Sequence, residues 1–115
     1  MQYDLEVRTK KFSHSVIDTL SQIPTNELNR SIISQLIRSA TSIGANYCEA
    51  NNASSRKDFS NKIYICRKEA QETKYWLELL AKASPEFIVK LRLLWKEAHE
   101  LTLIFNKISS SLRNN

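Results

Sequence analysis

The chain has 115 residues and a formal net charge of +5, because 17 lysines and arginines outnumber 12 aspartates and glutamates. One glycine and two prolines leave little material for turns, which excludes a sheet of many short strands and favours a few long helices. This length corresponds to one domain over residues 1–115.

Helix 1 is predicted over about residues 4–22. Its apolar stripe follows the helical period and comprises Leu5, Phe12, Val16, Leu20 and Ile23. Pro24 ends this helix because the residue before a proline is pushed out of the helical region. The short segment that follows, with Thr25 and Asn26, supplies a cap for the next helix.

Helix 2 is predicted over about residues 27–49 and carries a broad apolar face. The face comprises Leu28, Ile32, Ile33, Leu36, Ile37, Ala40, Ile43, Tyr47 and Cys48, so it is expected to cover more than one neighbour. Gly44 lies within it at a cost of about 1 kcal/mol against alanine. We expect close packing of another backbone at Gly44 to offset that cost.

Helix 3 is predicted over about residues 56–82, with Ser55 as its cap and Asp58 placed as in a capping box. An apolar seam alternates steps of four and three: Phe59, Ile63, Cys66, Ala70, Thr73, Leu77 and Leu80. A second stripe comprises Ile65, Trp76, Leu79 and Ala83. It is expected to be buried inside the monomer or against another subunit.

Helix 4 is predicted from Ser84 as cap and Pro85 as first residue to about residue 112. Its seam comprises Phe87, Leu91, Leu94, Ala98, Leu101, Phe105, Ile108 and Leu112. All three connections are short, so successive helices should be antiparallel. The predicted fold is therefore all-α, an up-down-up-down four-helix bundle.

Residues that would support catalysis or metal binding are not arranged in any familiar pattern. A bundle metal site uses Glu-x-x-His on two helices, but Lys11 precedes His14 and Lys96 precedes His99 at that spacing. Glu49 is expected to pair with a cation across the short loop, either Arg56 or Lys57. We therefore expect no enzyme activity, no metal, no cofactor and no catalytic residue.

The cellular setting is inferred from the cysteines and the apolar runs. Cys48 and Cys66 lie on predicted apolar faces and are expected to be buried free thiols, as in a reducing cytoplasm. No run is long enough to cross a bilayer, and the first residues lack a signal-peptide pattern. A cytoplasmic protein without membrane contact is expected.

The excess of positive charge is concentrated in helices 3 and 4. Residues 55–84 carry seven basic and four acidic side chains, which favours a polyanion as partner. The candidate phosphate contacts are Arg38, Arg56, Lys57, Lys62, Arg67 and Lys68, and Tyr64 offers an aromatic face to a base. The alternative is that these cations are solvated and partly paired with Asp58, Glu69 and Glu72.

Two neighbouring motifs carry a family resemblance. The matching residues are Gln35, Leu36, Arg38, Ala40, Ser42, Ile43, Asn46 and Glu49, followed by Ser55, Arg56, Lys57, Asp58 and Phe59. They resemble the four-helix-bundle proteins encoded in intervening sequences of bacterial 23S ribosomal RNA genes. Gly44 and Ala50 depart from the pattern, which often has proline and glycine there.

The resemblance implies a homo-oligomeric ring of five subunits with no enzyme activity of its own. A related group, the accessory factors of diversity-generating retroelements, works with a reverse transcriptase and its RNA. The resemblance therefore implies RNA, or a reverse transcriptase, as partner. The alternative hypothesis is a protein-interaction scaffold that binds no nucleic acid.

Overall fold

The computed structural model describes residues 4–113, and this part of the chain contains helices and no strand. The elements are α1 (Leu5–Leu20), α2 (Arg30–Asn51), α3 (Arg56–Ala83), a 3-10 turn (Pro85–Phe87) and α4 (Ile88–Arg113). The all-α prediction is confirmed. None of the helices in residues 4–113 has an apolar stretch long enough to span a membrane.

The four helices form an elongated antiparallel bundle of 47 × 22 × 20 Å. Each helix packs on the next, and α1 also contacts α4. Three hydrogen bonds join the start of one helix to the end of its neighbour: Asn51 to Glu6 at 2.9 Å, Asn29 to Ser84 at 3.1 Å, and Arg56 to the Leu112 carbonyl at 3.1 Å. Successive helices therefore run in opposite directions, as predicted.

The two predicted seams form the centre of the core. In α3 every seam residue from Ile63 to Leu80 is buried, and only Phe59 at the start is partly exposed. In α4 the buried members are Leu91, Leu94, Ala98, Leu101 and Phe105. Burial at steps of four and three is what a helix packed on its neighbours requires.

The apolar face of α2 is narrower than its sequence indicates. Leu28 is 75% exposed because it lies in a turn before the helix, and Ile37 and Cys48 lie on the exposed border of the face. The prediction that both thiols are buried is therefore wrong for Cys48. Cys66 is buried, its thiol donates to the Ile43 carbonyl at 3.5 Å, and burial raises its pKa to about 12.

The second stripe of α3 is accounted for within the monomer. Trp76 packs against the buried core, and Ile65, Leu79 and Ala83 are each partly buried. The exposed aliphatic side chains lie elsewhere, on α1 and α2, in the turn before α2, and on α4: Val7, Ile17, Leu28, Ile37, Val89, Leu93 and Leu103. The stripe itself therefore needs no second subunit to cover it.

Helix α2 begins at Arg30, three residues later than predicted, because two asparagines hold a turn before it. The Asn26 side chain accepts from the backbone N–H of Leu28 and of Asn29, both at 2.9 Å. The Asn29 side chain accepts in return from the N–H of Asn26 at 2.8 Å. Short polar side chains of this kind compete with the helical backbone for its hydrogen bonds.

The helix caps of α3 and α4 differ in how they are made. Ser55 accepts from the N–H of Asp58 at 3.0 Å, so the predicted cap of α3 is confirmed. Ser84 does not cap the next helix with its side chain, which instead accepts from Asn29. The chain after Ser84 therefore begins with the 3-10 turn before α4 starts at Ile88.

The shortest helix, α1, is held by a close approach and an ion pair. A Cβ added at Gly44 would lie 3.2 Å from Thr9 Oγ1, which confirms the predicted tight packing at this glycine. On its other side, Arg8 donates two hydrogen bonds to Glu97 of α4, at 2.7 and 2.8 Å. A paired arginine and carboxylate of this geometry fixes orientation as well as contact.

Replacing Asn29 by alanine should destabilise the bundle by about 2–3 kcal/mol. The buried Asn29 amide donates to the Pro24 carbonyl and to Ser84, and buried polar groups left without partners carry a cost of that order. Urea unfolding measures the change. Asn106, exposed on α4, supplies the control, since Asn106→Ala should shift stability by less than about 0.5 kcal/mol. Equal effects would contradict the assigned role of Asn29.

Candidate nucleic-acid interface

Helix α3 lies between α2 and α4 and turns one side away from both. A helix advances by about 100° per residue, so the residues opposite the buried seam form one continuous row. We call this row the outer α3 face: Lys57, Asn61, Tyr64, Lys68, Gln71, Tyr75, Glu78 and Lys82. All eight of these residues are exposed.

Each carboxylate of α3 has a hydrogen-bond partner. Glu69 and Glu72 both pair with Arg38 of α2. Glu78 accepts a hydrogen bond from the indole N–H of Trp95 in α4, at 2.9 Å. Asp58 accepts from the backbone N–H of Ser54 at the start of the helix. The outer α3 face therefore carries three lysines and one acidic side chain, Glu78, and its part from Lys57 to Tyr75 carries none.

Two of the six predicted phosphate contacts are ion-paired at the border between α2 and α3. Arg38 donates to Glu69 at 3.4 Å and also to Glu72. Lys62 donates to Glu49 at 2.6 Å, so Glu49 is ion-paired as predicted, but its partner is neither Arg56 nor Lys57. A neighbouring carboxylate cancels much of the positive potential that a phosphate would meet.

The other four predicted cations divide between the α4 side and the outer α3 face. Arg56 donates to the last carbonyls of α4 through Leu112, and Arg67 lies over the ring of Tyr64 at 5.1 Å. Lys57 and Lys68 have no hydrogen bond or ion pair with any residue between 4 and 113. The sequence analysis offered all six cations as phosphate contacts, whereas the structure spreads them over three sides of the bundle.

Contacts within the carboxylate–arginine network shift the pKa values of two of its members, Glu72 and Arg38. The Trp76 indole donates to Glu72 at 2.8 Å, and this bond together with Arg38 holds the pKa of Glu72 below its usual value. The hydrogen bond from Arg38 to Glu72 in turn raises the pKa of Arg38. Both groups stay ionised near neutral pH and join α2 to α3.

Histidine and other metal-binding side chains are not gathered at one place. His99 stacks on Trp95 with ring centroids 5.1 Å apart, and Lys74 Nζ lies 3.1 Å from its Nδ1 atom. His14 is exposed on α1. In the described part of the chain, no group of three or more His, Cys, Asp or Glu side chains is placed to hold a metal ion.

Asn61 of the outer α3 face was not predicted as a site residue. The same is true of four residues nearer the C-terminal end of the face: Gln71, Tyr75, Glu78 and Lys82. They lie in the second half of α3, whereas the cations used for the prediction lie in its first half. The signal was present in the sequence. Every position opposite the apolar seam faces outward, so extending the seam along the whole helix identifies them.

Acid should remove the contribution of Glu72 to the stability of the bundle. Because the pKa of Glu72 is lowered in the folded state, its contribution to stability is present above pH 4.5 and is lost as the pH falls through the folded-state pKa. Glu72→Gln should cost about 0.5–1 kcal/mol at pH 7 and should lose less stability than the parent protein between about pH 5 and pH 3.

Urea unfolding at the two pH values measures this difference. Glu100→Gln is the control, because Glu100 is exposed on α4 and has no ion pair within residues 4–113. It should retain the acid sensitivity of the parent protein. If both variants lose as much stability in acid as the parent protein, the role assigned to Glu72 is contradicted.

The chain was compared with known proteins. The 23S rRNA-intervening sequence protein family matches residues 3–85, and no curated protein matches the chain. Among solved structures, a protein with unknown function from the S23 ribosomal protein family of Bacteroides thetaiotaomicron is similar, with 31% sequence identity and a TM-score of 0.78. The match covers 90% of this chain and 96% of that one. The chain therefore belongs to the 23S rRNA-intervening sequence protein family.

Proposed function

We propose that this bundle binds RNA through the outer α3 face and serves an RNA process without catalysing a reaction itself. The observation that carries the proposal is the pair of Lys57 and Lys68, both exposed on the part of the outer α3 face, up to Tyr75, that has no acidic side chain. Membership of a family named for 23S rRNA intervening sequences supports an RNA-related role.

The physical basis of the proposal is electrostatic. A phosphate backbone carries a condensed layer of counterions, and a protein cation that replaces them gains the free energy of their release. A lysine that has no carboxylate partner can replace these counterions without breaking an ion pair within the protein. Lys57 meets this condition, and Lys68 has no ion pair, although its charge helps to lower the pKa of Glu72. Arg38 and Lys62 are held by glutamates.

Two double variants with the same change in net charge test the proposed face. Lys57→Gln with Lys68→Gln should weaken RNA binding and reduce the slope of log K against log salt by roughly 1.5, since each lost phosphate contact reduces it by about 0.7–0.9. Arg38→Gln with Lys62→Gln should change the slope by much less. Fluorescence anisotropy with a labelled structured RNA, at several salt concentrations, measures both.

The two outcomes that contradict the proposal are distinct. Absence of binding by the parent protein at low salt contradicts RNA binding altogether. Equal reductions in slope for the two double variants contradict the assigned location, because they show that net charge rather than the outer α3 face determines affinity.

We also propose that the bundle self-associates into a ring. The number of subunits, five, is what the family resemblance implies. The outer side of α4 supports self-association, because Val89, Leu93 and Leu103 are exposed there by 69%, 62% and 48%. Apolar side chains aligned on one helix face are typical of a surface that another subunit covers.

A glutamate placed within this apolar face should break the assembly. Light scattering coupled to size exclusion should give a mass of about five subunits for the parent protein and a smaller mass for Leu93→Glu, because burying an unpaired carboxylate is costly. Ser111→Glu adds the same charge at the exposed far end of α4 and should leave the mass unchanged. A monomeric parent protein would refute self-association.

A protein-interaction scaffold is a second candidate function. The observation that favours it is the 75% exposure of Leu28, at the end of the bundle away from Lys57 and Lys68. A reverse transcriptase is the partner class that the family resemblance implies. Purification with a stoichiometric protein and without RNA would favour this candidate over RNA binding.

A further inference from the structure

Two tyrosines lie in the outer α3 face, and both are unusually open to solvent. Tyr64 is 52% exposed and Tyr75 is 55% exposed. They are 11 residues apart, which is three turns of helix and about 16 Å along its axis. The other aromatic side chains of α3, Phe59 and Trp76, pack against the core, so exposure is particular to these two positions.

Both rings are supported from one side. The Arg67 guanidinium lies over the Tyr64 ring at 5.1 Å. Tyr75 meets the edge of Trp76 with centroids 5.0 Å apart and planes at 73°, and Trp76 is itself anchored to Glu72. Rings held in this way lose less conformational freedom on stacking than freely rotating ones.

The hydroxyl groups of these tyrosines are not used within the monomer. Neither Tyr64 nor Tyr75 has a hydrogen-bond partner among residues 4–113. Each ring therefore presents an apolar surface and an available polar atom to solvent, in the same row as the lysines. An aromatic ring beside an unpaired cation suits a nucleotide, which has a flat base and a charged phosphate.

The order of side chains along the row distinguishes between single-stranded and double-stranded RNA. Lys57, Tyr64, Lys68, Tyr75 and Lys82 lie along the row over 25 residues, or about 37 Å, with Glu78 between the last two. Bases in a duplex are stacked inside the helix and offer no face to a tyrosine, whereas unpaired bases do. A duplex could use only the lysines of this row.

We propose that the outer α3 face binds single-stranded RNA, with Tyr64 and Tyr75 stacking on unpaired bases and Lys57, Lys68 and Lys82 contacting the phosphates between and beside them. This inference rests on the proposed RNA binding and names its substrate class. The stacking is tolerant of base identity because every base has a flat face.

The experiment compares two RNA probes on the full chain. The probes are a fluorescein-labelled oligouridine of about 12 nucleotides, within the site size of single-strand binding proteins, and a blunt duplex of about 12 base pairs. Anisotropy titrations at one low salt concentration give both affinities. The parent protein should bind the single strand more tightly than the duplex.

Tyrosine variants provide the decisive comparison. Tyr64→Leu and Tyr75→Leu should each weaken oligouridine binding by about 5- to 100-fold, the range for loss of one stacked base, and should leave duplex binding unchanged. Tyr64→Phe and Tyr75→Phe preserve the ring and should restore nearly the parent affinity. Circular dichroism confirms that each variant is folded.

The results that overturn the inference differ from those that overturn RNA binding. Equal affinity for the two probes, or oligouridine binding that is unchanged in both leucine variants, refutes stacking while the lysines still account for RNA binding. Absence of binding to either probe refutes both proposals. Loss of affinity in the phenylalanine variants as large as in the leucine variants assigns the effect to the hydroxyl groups and also refutes stacking.

Discussion

Burial of the α3 seam is the constraint on which the rest of the molecule depends. Ile63, Ala70, Leu77 and Leu80 are fully or almost fully buried between helices on either side. Rotating α3 by a single residue, about 100°, would expose this row. Burial of one branched aliphatic side chain contributes about 1.5–3 kcal/mol, so the seam fixes the rotation of the helix and thereby determines which residues face solvent.

Charge is sorted around α3 as a consequence of that rotation. The glutamates of α3 pair with Arg38 or accept from Trp95, and these contacts connect α3 to both neighbours. A pair as exposed as Arg38 with Glu72 contributes at most about 1 kcal/mol, which is small beside the burial of the seam. The larger effect of this arrangement is that the outward row keeps its lysines and contains no carboxylate from Lys57 to Tyr75.

The sequence predicts the seams well and the sites of helix capping less well, for a physical reason. A buried row must repeat with the period of the helix, so local spacing is sufficient to identify it. The start of α2 and the role of Ser84 depend instead on Asn29, whose amide reaches a residue 55 positions away. Likewise Arg38 is paired with Glu69, 31 residues later, and no pattern within one helix indicates such a partner.

Self-association through α4 and RNA binding through α3 could occur together, because the two faces lie on different helices. The apolar side chains Val89 and Leu93 belong to α4, whereas the lysines and tyrosines of the outward row belong to α3. Self-association through α4 would leave every α3 row accessible and would repeat it once per subunit. Linked copies of a modest site bind a long strand far more tightly than one copy does, by about 100- to 10,000-fold where the geometry allows simultaneous contact. A single row of three lysines and two tyrosines is a small site, so repetition would supply much of the affinity that the monomer lacks.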